Sequence, residues 1–300
     1  MADLITRRKA LTGISVALPA AGAAARVLWA FDKQRFEARL AEIDKKSGGR
    51  LGCALLNTST GVIIGQRLNE RFPMDSTFKA SAAAFVLQRA DRGLEKLDRP
   101  VAIPARITLG NSPITKPHAG GHLPMSELCM GAVTQSDNTA ANLLLASFGG
   151  PKALTAFWRS IGDNVTRLDR PEPTLNEGTP GDPRDTAAPS ATVETFRKFV
   201  LGDVLSPASR EMFVKWLIDN KTGDARLRAG LPHEFKIGDK TGTGGHETSD
   251  DIAVIWPPNR KPWIVAAYLT EGSKSGDARD AILAEVGRAV AAELAAGAVR

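Results

Sequence analysis

Apolar residues recur at helical spacing in Phe36, Leu40 and Ile43, so the stretch from Asp32 to Lys46 reads as an amphipathic helix that Gly48-Gly49 ends. Leu51–Asn57 and Val62–Gln66 are short apolar runs on either side of Thr58-Ser59-Thr60-Gly61, the pattern of a β-hairpin. From about residue 67 to 217 the period turns mainly helical, with helices predicted over Phe78–Arg89, Ser126–Val133, Thr139–Phe148, Lys152–Ile161 and Val193–Leu201. Two strand-like runs follow, Ile252–Trp256 and Trp263–Leu269, joined through the Pro-rich turn 257–262. An amphipathic helix from about Asp277 to Leu294 closes the chain. Helix and strands at both ends with helices between predict an α/β fold. Residues 31–66 and 218–300 would form a discontinuous sheet domain, and 67–217 an inserted all-α domain.

One segment fits neither period. Arg167 to Asp185 carries Pro171, Pro173, Pro180 and Pro183, which rules out a helix or strand. A structureless stretch of this length inside a domain is normally functional or a linker, and the helices resume after it. It reads as a compact Ω-type loop, 167–185, fastened by Arg170 and Asp185.

Composition narrows the class. Hydrophobic residues at 43% and charged residues at 24% are ordinary globular values, which exclude disordered and fibrous chains. Of the net charge of +6, half sits in residues 1–30, and no basic cluster with interleaved aromatics suggests nucleic acid. Those thirty residues read as an export signal rather than fold. Thr6-Arg7-Arg8-Lys9 is a charged head, Leu11–Ala25 a short apolar stretch, and Ala21-Gly22-Ala23 and Ala23-Ala24-Ala25 are small-residue cleavage sites. The paired arginines raise a twin-arginine route into a bacterial periplasm, with no stable membrane insertion once the signal is removed. Cys53 and Cys129 lie in apolar neighbourhoods and read as two separate buried thiols, a bridge between them remaining open. The four histidines have no ligand spacing, so neither metal nor cofactor is expected.

Candidate chemistry stands in four groups. Ser76 and Lys79 lie three apart at the head of an alanine-rich helical run, hence on one face, with Ser76 expected in the first turn where free N–H groups favour negative charge. Ser136-Asp137-Asn138 adds a second hydroxyl and an amide. Glu172 lies in the Pro-rich loop with Asn176 four residues on. Lys240-Thr241-Gly242-Thr243-Gly244 precedes the late strands, its glycines allowing close approach to the backbone. Alone, Ser-Asp-Asn is more often a helix cap and Lys-Thr-Gly a turn. Together and in this order they suit acyl transfer: a nucleophilic oxygen, a nearby nitrogen, an electropositive pocket and a carboxylate to direct water.

Here the chain resembles the class A serine β-lactamases, over nearly its whole length after the signal. The resemblance extends to residues 136–145, 228–232, 239–244 and 251–257, and Glu172-Pro173-x-Leu175-Asn176-Glu177 separates that family from its penicillin-binding relatives. It implies a two-domain fold of the serine β-lactamase and penicillin-binding-protein type, an antiparallel sheet flanked by helices with an inserted all-α domain. It further implies a monomer acting on small-molecule β-lactams. Ser76 would attack the ring carbonyl, with the N–H groups of Ser76 and Thr243 as oxyanion donors worth about 2.7–4 kcal/mol each. Glu172 with Asn176 would hold and activate the deacylating water. Ser136 would pass a proton to the departing nitrogen. Asn138 would bind the drug's side-chain amide. Lys240, Thr241 and Thr243 would receive its carboxylate. Whether Lys79 or Glu172 takes the Ser76 proton stays open.

Departures from the family bear on specificity. Ser249 stands where many members have an arginine, and Arg226 is the matching alternative, with Arg228 nearby. Asn111 replaces a common aromatic before Ser112-Pro113. Asp75 beside the nucleophile is unusual, and it either perturbs Ser76 or faces away. Ala83 precludes the disulfide to Cys129 that some members form. A D-Ala-D-Ala peptidase or transpeptidase would share the serine and lysine groups but not Glu172. A penicillin-sensing receptor would need a span and an intracellular domain.

Overall fold

Helix α1 (Lys33–Ser47) begins where Asp32 accepts a hydrogen bond from the Arg35 N–H at 2.9 Å, and ends where Gly48 turns left-handed at φ 69°. The computed structural model describes residues 32–296, so the expected export segment lies outside the described residues. Strands β1 (Arg50–Asn57), β2 (Ile63–Gln66) and β3 (Phe72–Pro73) follow, then α2 (Phe78–Asp91), β4 (Pro100–Ala102), β5 (His122–Pro124), α3 (Met125–Thr134), α4 (Asn138–Phe148) and α5 (Pro151–Ser160). After these come β6 (Thr186–Ala187), α6 (Pro189–Val200), α7 (Pro207–Ile218), β7 (Lys236–Thr243), β8 (Ser249–Trp256), β9 (Trp263–Thr270) and α8 (Gly276–Ala296).

Five strands form one antiparallel sheet in the order β2-β1-β9-β8-β7. The first strand pairs with the last, from Arg50 opposite Thr270 to Asn57 opposite Trp263, so both ends of the chain build the sheet. Side chains alternate between its faces. On β9, Val265, Ala267 and Leu269 join Phe36, Leu40 and Ile43 of α1 and Leu283, Val286 and Val290 of α8. Ile264, Ala266 and Tyr268 face the inserted helices. Both faces are covered, which is why β1, β8 and β9 read as apolar runs rather than as alternations. The fold is the expected antiparallel sheet flanked by helices with an inserted all-α domain.

Helix α2 crosses the middle of the helical part and is buried nearly all round. Ala80, Ala82, Ala83 and Ala84 let neighbouring helices approach it closely, and Val86 and Leu87 fill the remaining core. Phe157, Phe196, Phe199 and Phe213 pack ring against ring beside it. Each such buried ring stabilises the core by roughly 1.5–3 kcal/mol. Cys53 and Cys129 are separate buried thiols, Cys53 in the sheet and Cys129 on α3.

Three features depart from the sequence reading. Residues 236–243, read only as the stretch before the late strands, pair with β8 as edge strand β7, which the sequence hides because Gly238, Asp239, Lys240 and Gly242 break the apolar alternation. Helix α7, not singled out from the sequence, starts at Pro207 behind a Ser206 cap. Ser76 lies not in the first turn of α2 but in a 3-10 turn, Asp75–Thr77, just ahead of it. Asp75, at φ 40°, bends the chain there, so α-helical geometry begins only at Phe78.

Candidate active site

The nucleophile turn is short and pinned. The Thr77 N–H donates to Met74 O at 2.9 Å, and α2 continues directly behind it. Ser76 is half-buried while Asp75, Thr77 and Lys79 are buried, so Ser76 is the most accessible of this group. The Ser76 Oγ–H donates to Glu172 Oε1 at 3.4 Å.

Lys79 gathers the site. Its Nζ lies 2.9 Å from Glu172 Oε1, and donates to Ser136 O at 2.8 Å, Ser136 Oγ at 3.2 Å and Asn138 Oδ1 at 2.6 Å. Burial lowers the pKa of this amine, and the Glu172 charge opposes that. Ser136 is held at φ 56° by its neighbours. Asp137 caps α4 through Ala140 N at 2.8 Å and accepts from Ile114 N and Thr115 N at 2.9 and 2.8 Å, locking the turn. Asn111 Nδ2 donates to Ser136 O at 2.8 Å, and Asn138 Nδ2 to Gly110 O at 3.0 Å. Asn111 thus props the Ser136 turn where the family often has an aromatic wall.

Glu172 enters from residues 167–185, tied at their base by Arg170 Nε to Asp185 Oδ2 at 2.6 Å. Asp185 Oδ1 also accepts from Asp169 N at 2.7 Å and Arg170 N at 2.9 Å. Asn142 of α4 clamps the Glu172 main chain in both directions at 2.9 Å. The carboxylate is buried, and Asn176 Nδ2 donates to its Oε2 at 2.5 Å. Asn176 Oδ1, also buried, has no protein partner. Asn142 was missed in the sequence, where it reads as an ordinary helix residue.

Strand β7 forms the facing wall. Lys240 Nζ donates to Ser136 Oγ at 3.1 Å and to Thr241 O at 2.7 Å. Its pKa is lowered well below the usual lysine range, first by burial and then by Lys79. Thr241 Oγ1 shares a hydrogen bond with Thr222 at 2.5 Å, and Thr243 is exposed. Arg226 is buried behind the strand: Nη2 donates to Thr243 Oγ1 at 2.7 Å, Nη1 to Gly242 O and Asp250 O at 2.6 and 2.7 Å, and Nε to Asp280 at 2.8 Å. Arg228 instead pairs with buried Asp239 of the same strand and makes no bond to Lys240, Thr241 or Thr243. Arg279 of α8, not singled out from the sequence, donates from Nε to Ser249 Oγ at 2.9 Å. The structure therefore brings Ser76, Lys79, Ser136, Asn138, Glu172, Asn176 and Lys240 into one connected group, with Thr241, Thr243 and Arg226 along its rim. Asp75 does not face the cleft. Among the described residues no cluster of His, Cys, Asp or Glu could hold a metal.

Known proteins carry the same plan. A family model described as the β-lactamase enzyme family matches residues 35–294. The chain is 49% identical to β-lactamase L2 of Stenotrophomonas maltophilia over 249 residues, 83% of this chain and 82% of that one. It is 45% identical to β-lactamase CTX-M-8 of Citrobacter amalonaticus over 252 residues, 84% and 87% of the two chains. The solved class A β-lactamase of the last common ancestor of Gram-negative bacteria superposes with a TM-score of 0.84 at 60% identity, covering 86% of this chain and 99% of that one. With the serine, lysine and carboxylate groups assembled as described, the chain belongs to the class A β-lactamases.

Proposed function

We propose that the protein hydrolyses β-lactam antibiotics through an acyl-enzyme on Ser76, and so confers resistance to them. The observation that carries this is the chain Ser76–Glu172–Lys79–Ser136, continuous at hydrogen-bond distance. Glu172 Oε1 accepts the hydrogen bond of the Ser76 hydroxyl, so Glu172 takes its proton as Oγ attacks the ring carbonyl. Lys79 bridges Glu172 to Ser136, which supports proton return through Ser136 Oγ to the ring nitrogen as the C–N bond breaks. The N–H groups of Ser76 and Thr243 stabilise the oxyanion.

Deacylation needs water on the far face of the ester. Glu172 Oε2, fixed by Asn176 Nδ2, and the unpartnered Asn176 Oδ1 offer acceptors for that water. Lys240 and Thr243 attract the drug's carboxylate, with Arg226 holding Thr243 Oγ1 and adding charge from behind. Thr241 and Asn138 line the same cleft. Hydrolysis of a panel of penicillins, cephalosporins and a carbapenem, with Ser76→Ala as control, tests the reading; no turnover on any class by the unmodified protein would refute it.

We also read residues 1–30 as a signal that exports a monomer to the bacterial periplasm, the paired Arg7 and Arg8 raising the twin-arginine route as one of the candidate routes. Cell fractionation with Arg7 and Arg8 replaced by Lys checks it. No described helix is long and apolar enough to cross a membrane. The boundaries 31–66 with 218–300 and 67–217 remain our division, supported by the two separate hydrophobic clusters on either face of the sheet.

A further inference from the structure

Two carboxyls beneath the nucleophile take no part in the steps above. Asp75 precedes Ser76, and Asp250 stands opposite Gly242 on one side and Tyr268 on the other in the sheet. Both are wholly buried. A methyl group added to Gly244 would sit 2.2 Å from Asp75 Oδ1. One added to Gly242 would sit 2.9 Å from Asp250 Oδ2 and 3.1 Å from Asp75 Cβ. The two side chains therefore meet under the stretch of β7 that carries Thr243, and only glycines leave room for them.

None of the four carboxyl oxygens receives a hydrogen bond from a surrounding donor. The nearby cations are engaged elsewhere. Arg226 binds Gly242 O, Asp250 O, Thr243 and Asp280, and Lys79 binds Glu172. The other titratable groups whose charge reaches the pair are Glu172 and Asp185 from the 167–185 loop, Asp251 on the opposite face of β8 and Tyr268 from β9, none of which supplies a positive charge. Two ionised carboxylates this close in a dry interior repel strongly, whereas one that keeps its proton can donate to the other. Burial first, then Glu172, pushes the Asp75 carboxyl up to about 8, and burial with Asp75 holds Asp250 well above the usual range.

We propose that Asp75 and Asp250 share one proton and, as a hydrogen-bonded acid pair, are positioning residues that hold the Gly242–Gly244 stretch against Ser76, so that losing the proton displaces Thr243 and gives acylation an alkaline limit. The proposal rests on Ser76 as nucleophile and Thr243 as oxyanion donor. It concerns geometry, not proton transfer to substrate: above the limit the shared proton leaves to solvent and the two anions push β7 from the nucleophile turn.

The test is the pH profile of kcat/KM for the full protein, Asp75→Asn and Asp250→Asn from about pH 6 to 10. An amide at either position donates to the remaining carboxylate without needing a proton. The unmodified protein should lose up to about tenfold per pH unit above its limit, and each variant should move that limit up by at least about one unit while staying within about threefold at neutral pH. A limit unmoved in both variants, or activity lost in parallel at every pH, overturns the proposal. Infrared titration of the unmodified protein needs no variant: a protonated-carboxyl band should vanish with the same midpoint as activity, and its absence at neutral pH also overturns the pair. Acylation of Ser76→Ala would instead refute the nucleophile and leave the infrared band untouched, so the two failures are distinguishable.

Discussion

Replacing Glu172 with Gln should separate the two halves of the reaction. The amide keeps the side chain's volume and its place beside Asn176 Nδ2, but removes the negative charge. Lys79 then loses the carboxylate 2.9 Å away and retains its oxygens on Ser136 and Asn138. Breaking a buried ion pair costs about 3–5 kcal/mol when the orphaned charge persists. Burial already lowers the Lys79 pKa, and without Glu172 the amine sheds its proton more readily, so the loss falls below that range. The neutral amine then takes over from Glu172 as the base for acylation, leaving deacylation as the step without one. A domain stable by about 5–15 kcal/mol remains folded. Losing a general base slows its step by about 10²–10⁴. From a typical turnover of about 10 per second, deacylation drops to about 10⁻³–10⁻¹ per second, a half-life of seconds to roughly ten minutes.

Mixing the variant with excess penicillin and quenching at about 10 s, 1 min and 10 min lets intact-mass spectrometry read the intermediate. One covalent adduct of the drug's mass should be present on the variant and none on the unmodified protein, while Ser76→Ala never acylates. Turnover by the variant at the unmodified rate with no adduct would refute Glu172 as the base. An unmodified protein that stays acylated for hours would refute hydrolysis itself and favour a penicillin target.

Arg226→Ala should raise KM more than it lowers kcat, because it removes the charged donor 2.7 Å from Thr243 Oγ1. A charge-assisted hydrogen bond of about 1.5–3 kcal/mol corresponds to about 10- to 150-fold in kcat/KM. An equal loss on a substrate whose carboxylate is esterified would refute this. Arg228→Ala should instead lower Tm with kcat/KM unchanged, since Arg228 serves buried Asp239. Cys53 and Cys129 should resist a thiol reagent until unfolding, because burial pushes the Cys53 thiol up to about 12 and Cys129 higher still; rapid labelling of the native protein would contradict it. Stability should also report on Asp75. Its carboxyl holds a proton up to about pH 8 when folded but only to about 3.9 when unfolded, so the native state binds more protons in that window and stability falls as pH rises through it. The Tm of the unmodified protein relative to Asp75→Asn should therefore decline from about pH 4 to 8 and level off outside it, and a flat difference would refute the raised pKa.

What the sequence made legible follows from how far each signal travels along the chain. Periodicity exposed α1 and α8 because their apolar residues lie three and four apart on one covered face. It exposed β1 and β9 because both of their faces are buried. The same signal failed for β7, whose Lys240 and Asp239 are buried for their partners and whose Gly242 is small for its neighbours. Functional strands depart from apolar patterning because charge and close approach are placed there at the expense of packing.

The four motif groups could be found because each is short and bears its own reactive atoms. Their supports could not. Asn142 acts through the main chain of Glu172, thirty positions away, and nothing local distinguishes it from a helix residue. Asn111 stood out as a departure from the family, but its bond to Ser136 O could not be read from that. Asp75 shows the limit most clearly. Its place beside Ser76 was plain, but whether it perturbs the nucleophile depends on Asp250, 175 positions away, brought next to it only when β8 pairs with β7 over the glycines. Two carboxylates that a sequence counts as separate negative charges become one acid in the fold. The charge of this site at neutral pH is therefore a property of its packing.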